Sequence, residues 1–482
     1  MKFVLKSCFV LFISTCALGQ AQIRNFSHVI VIVQENRTPD NLFQGLCAPP
    51  YGTSATCSTT PTGKQYDIQT NNWLDKTSRT GVTQPHTVAL ANKYDLNHSH
   101  KPWVKQCDRA PSGLCKMDGA AGVQCLGGPC PPQPQFAYVD NSTKILDPYL
   151  QLATQYGWAN SMFQTNQGPS FPAHQYLFGG TSAPSLAADH AGSFAAENVA
   201  GRGIGAGCIA SPTRIVQLID SAGAEANNNV IFPCFEHNTV SDLLQTASVS
   251  WRYYAPAANS IWTAPNAIQH ICMANGSTCT GAEWKANVDL RPPDVLTDIA
   301  NCSLRQVSWV IPDGRNSDHA NNNTGTGPAW VASIVNAIGT SWAASNHKCD
   351  YWANNSNDST AILITWDDWG GWYDHKPPAS LPAPQGGYQL GFRVPLIVVS
   401  AYTPVQLVDN TQHDFGSIIR FVEHNFGIQE GALTFADARA TTDLTSFFNL
   451  NQPPRSFFNV QAKIGASFFI NDKRPPTPPD ND

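Results

Sequence analysis

Charged residues are scarce in this chain. Asp, Glu, Lys and Arg make up only 13% of its 482 residues, and the formal net charge is −6. A protein that binds nucleic acid through the phosphate backbone needs a basic surface, so we expect no nucleic-acid partner. Long apolar runs are missing after the first twenty residues, which argues against a transmembrane helix of about 18 or more apolar residues. Nothing in the sequence indicates an oligomeric state.

The N-terminus has the pattern of an export signal. Two lysines precede the apolar run Cys8–Leu18, and Ala17-Leu18-Gly19 is a small-x-small cleavage site. We therefore predict a signal peptide over residues 1–21 and a mature protein that is secreted or periplasmic. Lipoprotein processing at Cys16 is an alternative, although the threonine before it fits that signal poorly.

Cysteines are the next informative feature. The chain has fourteen, and twelve remain once Cys8 and Cys16 leave with the signal peptide. An even number in an exported chain favours disulfides over metal thiolates. Connectivity does not follow from sequence alone, and the pairing with the shortest loops is Cys47–Cys57, Cys107–Cys115, Cys125–Cys130, Cys208–Cys234, Cys272–Cys279 and Cys302–Cys349.

The order of apolar patterns predicts an α/β fold with a mostly parallel sheet. Continuous apolar runs, typical of strands buried on both faces, alternate with helical patterns along the whole chain. The predicted strands are Phe26–Val33, Ser250–Ala255, Val307–Pro312, Ala361–Trp366 and Arg393–Ser400. The predicted helices are Ile145–Tyr156, Thr239–Ala247, Ala329–Gly339 and Ile418–Phe426. Residues 22–471 would form one domain with long loops, and the Pro-rich tail 472–482, which lacks apolar residues, would be disordered.

Polar residues follow three of these strands directly. Glu35-Asn36 follows the first, Asp318-His319 comes after the Val307 strand, and Asp367-Asp368 ends the Ala361 strand. The carboxyl ends of parallel strands meet at one edge of a sheet, where α/β proteins bind ligands. Adjacent carboxylates resist joint ionisation, and a divalent cation that prefers oxygen ligands removes the conflict. We therefore predict a divalent-metal site formed by Glu35, Asn36, Asp367 and Asp368.

Ser170 is the candidate nucleophile. It lies in a turn between two prolines, Gly168-Pro169-Ser170-Phe171-Pro172, without the G-x-S-x-G pattern of a serine hydrolase elbow. A serine hydroxyl needs a base or a metal ion to become a nucleophile, and the neighbouring carboxylates favour the metal. Histidines would supply protons.

At these positions the chain resembles the bacterial phosphoesterase family, which contains phospholipases C and acid phosphatases with an alkaline-phosphatase-like fold. The motifs occur in the family's order between about Phe26 and Asn449. They are Gln34–Arg37, Gly168–Pro172, Ser317–His319, Trp366–His375, Arg393–Pro395 and Asp437–Arg439. The resemblance implies a three-layer sandwich around the sheet, with long insertions that the disulfides would hold.

The resemblance also implies roles for individual residues. Ser170 would be phosphorylated transiently while facing a metal held by Glu35, Asn36, Asp367 and Asp368. His319, with His98 or His100 and preferably His98, would contact the phosphate or protonate the leaving oxygen. Residues expected to support the ligands or fix the loops are His100, Asp318, Asp374 and His375.

Three departures from the family pattern bear on the substrate. The nucleophile is Ser170 where the phospholipase branch usually has Thr, and Asp368 replaces a frequent Glu. Ala173-His174 stands where Asn-Arg is common. All three lean towards the acid-phosphatase branch.

The sequence therefore predicts a secreted, metal-dependent phosphoesterase whose substrate is a soluble monoester or a phospholipid headgroup. The alternative from another class is an exported, non-catalytic binding protein that kept the fold. A sulfatase or phosphate mutase of the same fold is a further alternative. The sulfatase pattern requires an Arg after the nucleophile turn, and Ser170–His174 has none.

Overall fold

The computed structural model describes residues 25–354, 358–380 and 390–477, so the predicted signal peptide lies outside the described residues. The central element is an eight-stranded sheet. Its strands in chain order are β1 (His28–Gln34), β2 (Gly157–Ala159), β3 (Trp251–Tyr254), β4 (Val288–Asp289), β5 (Val307–Val310), β6 (Thr360–Trp366), β7 (Leu396–Val399) and β8 (Leu407–Asp409). In space the order is β4-β3-β5-β1-β6-β7-β2-β8.

The sheet is mostly parallel, as predicted. β1 lies between β5 and β6 and runs parallel to both, and every residue of β1 and β6 is buried. That burial explains why both strands are continuous apolar runs. β7 runs antiparallel to β6 and to β2, a direction that its apolar run in the sequence does not specify.

Helices cover both faces of the sheet. Tyr253 and Trp309 are register partners whose rings lie 5.5 and 5.3 Å from the ring of Phe178, in the helix Ser170–Gly179. Tyr254, the next residue along β3, donates its hydroxyl hydrogen to Asp298 in the helix Asp294–Ala300. Because successive strand residues face opposite sides, these two helices lie on opposite faces, which gives the three layers.

The four predicted helices are present with ends within three residues of the predicted bounds, whereas the helices His100–Cys107 and Ser170–Gly179 were not predicted. Helices of eight or more residues are His100–Cys107, Asp147–Gln155, Ser170–Gly179, Gly327–Gly339 and Phe415–Asn425. Shorter helices are Pro39–Leu42, Leu186–His190, Val240–Thr246, Gln269–Cys272, Ala282–Asn287, Asp294–Ala300, Ser341–Ala344, Ala436–Arg439 and Ala466–Asn471. None of the helices in the described ranges is both long enough and apolar enough to cross a membrane.

Loops between these elements carry small sheets and the disulfides. One small sheet contains Phe194–Ala195, Ala200–Gly201, Arg214–Ile219 and Glu225–Ile231. Two-stranded pairs join Trp73–Leu74 with Val82–Thr83, His86–Val88 with Ala137–Val139, Tyr94–Leu96 with Cys125–Gly127, Met162–Phe163 with His413–Asp414, and Ala274–Asn275 with Thr278–Cys279. All six predicted disulfides are present, which confirms the shortest-loop pairing.

The start of the C-terminal tail contacts the domain. The backbone N–H of Arg315 donates to the hydroxyl of Thr477, and its guanidinium donates to the carbonyl of Pro475. Residues 478–482 of the tail lie outside the described residues.

Candidate metal and catalytic centre

The centre lies at the carboxyl ends of β1 and β6. Gln34 and Trp366 are the last register pair of these parallel strands, so Glu35 and Asp367 follow side by side. The carboxylates of Glu35, Asp367 and Asp368 are fully buried. Residues more than 300 positions apart in the chain therefore share one water-excluded site, as the strand-end argument requires.

Backbone amides hold one oxygen of each aspartate. The N–H groups of Asn36 and Asp368 donate to Oδ1 of Asp367 over 3.0 and 2.7 Å, and Oδ2 of Asp367 has no hydrogen-bond partner. Oδ1 of Asp368 accepts the N–H of Gly370 at 2.7 Å, while its Oδ2 accepts from the Ser170 hydroxyl. Gly370 is required here, because it has a φ of 62° and a Cβ would lie 2.4 Å from the carbonyl oxygen of Asn36.

The amide of Asn36 has a defined orientation. Its Nδ2 lies 3.0 Å from Nε2 of His98, and Nδ1 of His98 lies 2.7 Å from the carbonyl oxygen of Leu96. Because the carbonyl can only accept, Nδ1 of His98 carries the proton and Nε2 accepts from the amide of Asn36. Oδ1 of Asn36 is buried without a hydrogen-bond partner and thus has the chemistry of an available ligand.

Ser170 is the first residue of the helix Ser170–Gly179 rather than a residue of an isolated turn. Its hydroxyl lies 3.3 Å from Oδ2 of Asp368 and 3.5 Å from Oε2 of Glu35. The N–H of Phe171 donates to the side chain of Asn198, which helps fix the start of this helix. The candidate nucleophile therefore contacts two of the predicted ligands.

His174 joins the centre as well, although the sequence analysis gave it no role. Its Nε2 lies 3.2 Å from Oε1 of Glu35 and 3.8 Å from Oδ2 of Asp367. Burial lowers the pKa of His174 to about 4, against the opposing charge of Asp367, so the ring is neutral. One signal was available, because His174 follows Ser170 by four residues and so lies on the same helical face.

His319 and His98 line one side of the centre. Their ring centroids are 5.8 Å apart, and Trp262 lies 6.0 Å from the ring of His319. Nδ1 of His319 lies 2.8 Å from the carbonyl oxygen of Ala320, so it carries the proton. In this tautomer Nε2 of His319 carries the lone pair.

Asp318 does not contact the predicted ligands but bonds to Trp366, the residue next to one of them. Its Oδ2 accepts hydrogen bonds from the Tyr149 hydroxyl at 2.8 Å and from Nε1 of Trp366 at 3.0 Å. Burial raises the pKa of Asp318 to about 6, although the charge of Arg37 opposes the shift. These bonds fix Trp366, the residue before Asp367.

Asp374 and His375 belong to a separate buried ion-pair cluster. Arg393 donates to Asp374 over 2.9 and 3.0 Å. His375 lies between Asp40 and Asp67, with Nδ1 2.7 Å from Asp40 and Nε2 2.9 Å from Asp67. These contacts fix the loop that follows the ligands.

The other flanking histidine, His100, is held by two loops. Its Nδ1 lies 2.7 Å from the carbonyl oxygen of Gln167 and its Nε2 lies 2.9 Å from that of Gly223. His98, two residues earlier, is the one that contacts a predicted ligand.

The charge of the centre fits a divalent cation. Burial raises the pKa of Glu35 and of Asp368 well above the ordinary range, and the charge of Asp367 adds to both shifts. His174 lies 3.2 Å from Glu35 and 3.8 Å from Asp367, but its neutral ring does not offset the negative charge of these carboxylates. The centre contains three buried carboxylates and the amide oxygen of Asn36, which is the kind of oxygen set that hard divalent ions prefer. Two of these oxygens, Oδ1 of Asn36 and Oδ2 of Asp367, have no hydrogen-bond partner.

The fold and this centre define an α/β protein with a buried, carboxylate-rich centre at its strand ends. The model of the Phosphoesterase family matches residues 26–429. The chain belongs to the Phosphoesterase family, which confirms the resemblance noted in the sequence.

Curated relatives are phospholipases C. The chain is 27% identical over 265 residues to the non-hemolytic phospholipase C of Pseudomonas aeruginosa, covering 47% of this chain and 35% of that protein. It is 24% identical over 278 residues to phospholipase C A of Mycobacterium tuberculosis, covering 51% of each. The chain thus spans about half the length, or less, of these relatives.

Solved structures show a weaker likeness. A protein in the alkaline phosphatase superfamily from Vibrio parahaemolyticus matches with a TM-score of 0.30 and 12% identity over 59% of this chain and 61% of that one. Ps i-CgsB in complex with k-i-k-neocarrahexaose matches with a TM-score of 0.33 and 11% identity over 62% and 69%. Scores this low carry no argument about this chain.

Proposed function

We propose that this chain is a secreted, metal-dependent phosphoesterase that hydrolyses phosphate esters through a phosphoserine at Ser170. The observation that carries the proposal is the convergence of Ser170 with three buried carboxylates at the ends of β1 and β6. Family membership supports the same reaction class.

The ligands of the ion would be the carboxylates of Glu35, Asp367 and Asp368 and Oδ1 of Asn36. A divalent ion bound there supplies positive charge that favours the ionised serine hydroxyl and stabilises negative charge on the phosphate oxygens. The protein contributes a buried site whose ligands are already oriented, because backbone N–H groups hold the carboxylates of Asp367 and Asp368 in place.

Ser170 attacks phosphorus in this proposal. Its hydroxyl already donates to Oδ2 of Asp368 at 3.3 Å, so an acceptor for its proton is in place before the reaction. The Ser170 oxygen forms a bond to phosphorus as the bond to the ester oxygen breaks. Water then attacks phosphorus and gives a proton back to His319, the bond to Ser170 breaks as Asp368 returns the proton to the Ser170 oxygen, and inorganic phosphate leaves.

We assign the leaving-group proton to His319 rather than to His98. Nε2 of His98 already accepts a hydrogen bond from Asn36, so His98 serves as a positioning residue for that ligand. In His319 the Nδ1 proton faces the carbonyl oxygen of Ala320, so a proton that Nε2 has taken up is the one that His319 would pass to the leaving oxygen. A donor near the departing oxygen lowers the barrier most for poor leaving groups.

The substrate is proposed as either a soluble phosphomonoester or the headgroup of a phospholipid. The names of the relatives favour the lipid, whereas Ser170, Asp368 and His174 depart from the phospholipase pattern and lean towards the acid-phosphatase branch. The test is a side-by-side assay of the exported protein on para-nitrophenyl phosphate and on phosphatidylcholine micelles, after chelation and after divalent metal is restored. We expect hydrolysis of one substrate that chelation abolishes and metal restores. Full activity in a chelated, metal-analysed sample contradicts the metal role, and hydrolysis of neither substrate with metal bound supports a non-catalytic binding protein.

A further inference from the structure

Three buried atoms from three different elements surround one point of the centre. Glu35, Asp367 and His174 each place one ligand atom within 4.8 Å of the others, and Nε2 of His174 faces Oε1 of Glu35 and Oδ2 of Asp367. Each of the three side chains is 0% exposed. Glu35 follows β1, Asp367 follows β6, and His174 comes from the helix Ser170–Gly179, so the grouping depends on the tertiary fold.

A hydrogen bond from His174 does not satisfy this group. The distance of 3.2 Å to Oε1 of Glu35 is that of a hydrogen bond, but the 3.8 Å to Oδ2 of Asp367 is too long for one. Oδ2 of Asp367 consequently stays buried with no hydrogen-bond partner. A buried carboxylate oxygen without a partner is costly, so a bound species that contacts all three atoms is expected.

The separations suit a shared cation. Ligand atoms about 2.1 Å from an ion stand about 3.0–3.4 Å from one another in octahedral or tetrahedral geometry. The Glu35–His174 distance of 3.2 Å lies in that range, and the Asp367–His174 distance of 3.8 Å closes to it with a small side-chain shift. Nδ1 of His174 makes no hydrogen bond, so the ring proton can reside on Nδ1 and leave the lone pair of Nε2 directed at Glu35 and Asp367.

We propose that His174 is a nitrogen ligand of the divalent cation, together with Glu35 and Asp367. The inference rests on the cation site of the proposed function and adds to it a ligand type that an all-oxygen set lacks. Imidazole nitrogen favours ions such as Zn²⁺ and Fe²⁺ over Ca²⁺ and Mg²⁺. The centre therefore selects a transition metal.

The proposed ligand His174 and the candidate nucleophile Ser170 lie on the same helix. Ser170 and His174 are one turn apart on the same face of one helix, and both contact Glu35, through Oε2 and Oε1 respectively. An ion bound by His174 therefore anchors the helix that carries the nucleophile. Ser170 and the metal are positioned as one unit.

The first experiment identifies the nitrogen directly. The exported protein is stripped of metal and loaded with Mn²⁺, and electron spin-echo envelope modulation is recorded. We expect ¹⁴N coupling of the size given by a directly bound imidazole, and its loss in His174→Gln. Absence of that coupling in the wild-type protein overturns the proposal, and this result does not depend on whether the variant folds.

The second experiment separates ligation from simple positioning. Glutamine keeps an N–H that can donate to Glu35, so a hydrogen-bonding role survives His174→Gln. We expect the variant to lose more than about tenfold in Zn²⁺ affinity by calorimetry, because even residues that only support a ligand contribute about 10–100-fold. Ca²⁺ affinity should change by less than about threefold, since Ca²⁺ relies on the oxygen ligands. Equal losses for both ions contradict a nitrogen ligand.

His237→Gln is the matched control. His237 is also buried and has an unpaired ring nitrogen, but its ring packs edge-to-face against Phe435, and His237 does not contact the carboxylates of the centre. It should retain wild-type affinity for both ions. Phosphatase activity is measured separately. Nitrogen coupling without activity supports His174 as a ligand and rejects the proposed function. Activity without nitrogen coupling supports the proposed function and rejects His174 as a ligand.

Discussion

Nδ2 of Asn36 lies 3.0 Å from Nε2 of His98, and this contact determines which end of the Asn36 amide faces the carboxylates. His98 is itself fixed by its bond to the carbonyl of Leu96. Asn36 has a φ of 62°, a conformation that Asn tolerates better than most residues. The pair therefore presents Oδ1 of Asn36 in one orientation before any ion arrives.

The first prediction concerns this pair. His98→Ala should weaken Mn²⁺ binding by about tenfold, because an unsupported ligand typically costs 10–100-fold in affinity. Asn36→Ala should cost a similar amount, and the double variant should cost little more than either, because both changes remove the same ligand. Calorimetric titration of the three variants checks this. Fully additive losses would show that the two residues act independently.

The second prediction concerns the leaving group. His319→Ala should reduce turnover of alkyl phosphates by about 100-fold or more while affecting nitrophenyl phosphate much less, because nitrophenolate needs little protonation. The measurement is the dependence of turnover on leaving-group pKa, which should become steeper in the variant. His98→Ala serves as the comparison and should lower turnover of all esters by the same factor. An unchanged slope in His319→Ala would show that His319 does not protonate the leaving group.

The third prediction concerns the nucleophile. Ser170→Ala should retain Mn²⁺ binding within about tenfold and lose nearly all turnover, because the carboxylates remain while the attacking oxygen is gone. Rapid acid quench of the wild-type protein with ³²P-labelled ester should label the peptide that contains Ser170. An unlabelled peptide together with substantial activity in Ser170→Ala would instead favour direct attack by water.

The fourth prediction concerns stability against pH. Burial alone would lower the pKa of His375, but the charge of Asp40 and the hydrogen bonds to Asp40 and Asp67 raise it to about 9. A raised histidine pKa stabilises the folded state below the unfolded value of about 6.5, and this contribution is lost as the pH rises towards 9. Arg393 and Lys376 also face Asp67 and partly replace the lost charge.

Urea unfolding without reductant at several pH values tests this. His375→Gln should flatten the fall in the free energy of unfolding between about pH 6.5 and 9, a difference of the order of 1–3 kcal/mol. The exposed His190→Gln is the control and should keep the wild-type slope. A slope unchanged in His375→Gln would assign the pH dependence to another group.

Most of the fold follows from local pattern. Strands β1 and β6 are buried on both faces, and each has a continuous apolar sequence that leaves little ambiguity. The direction of β7 was not predictable, because an apolar run looks the same whether the strand runs parallel or antiparallel. Direction depends on where the connecting loops lead, and residues 367–395 form a long connection without a regular helix or strand in its described part.

The centre was predictable where its residues directly follow strands, as Glu35, Asp367 and Asp368 do. His174 was not, since its contact with Glu35 depends on how a helix from elsewhere in the chain packs against the sheet edge. His98 and His100 could not be separated either. Their difference lies in loop conformation, which turns one ring to Asn36 and the other to the carbonyls of Gln167 and Gly223.

The six disulfides share a simple rule of order. The twelve described cysteines form six pairs of consecutive cysteines, and the sequence separations run from 5 to 47 residues. A chain that enters an oxidising compartment from its N-terminus would therefore acquire its native bridges by joining every second arriving thiol to the one just before it. No correct bond needs to wait for a distant partner, so vectorial export and oxidation can proceed in step.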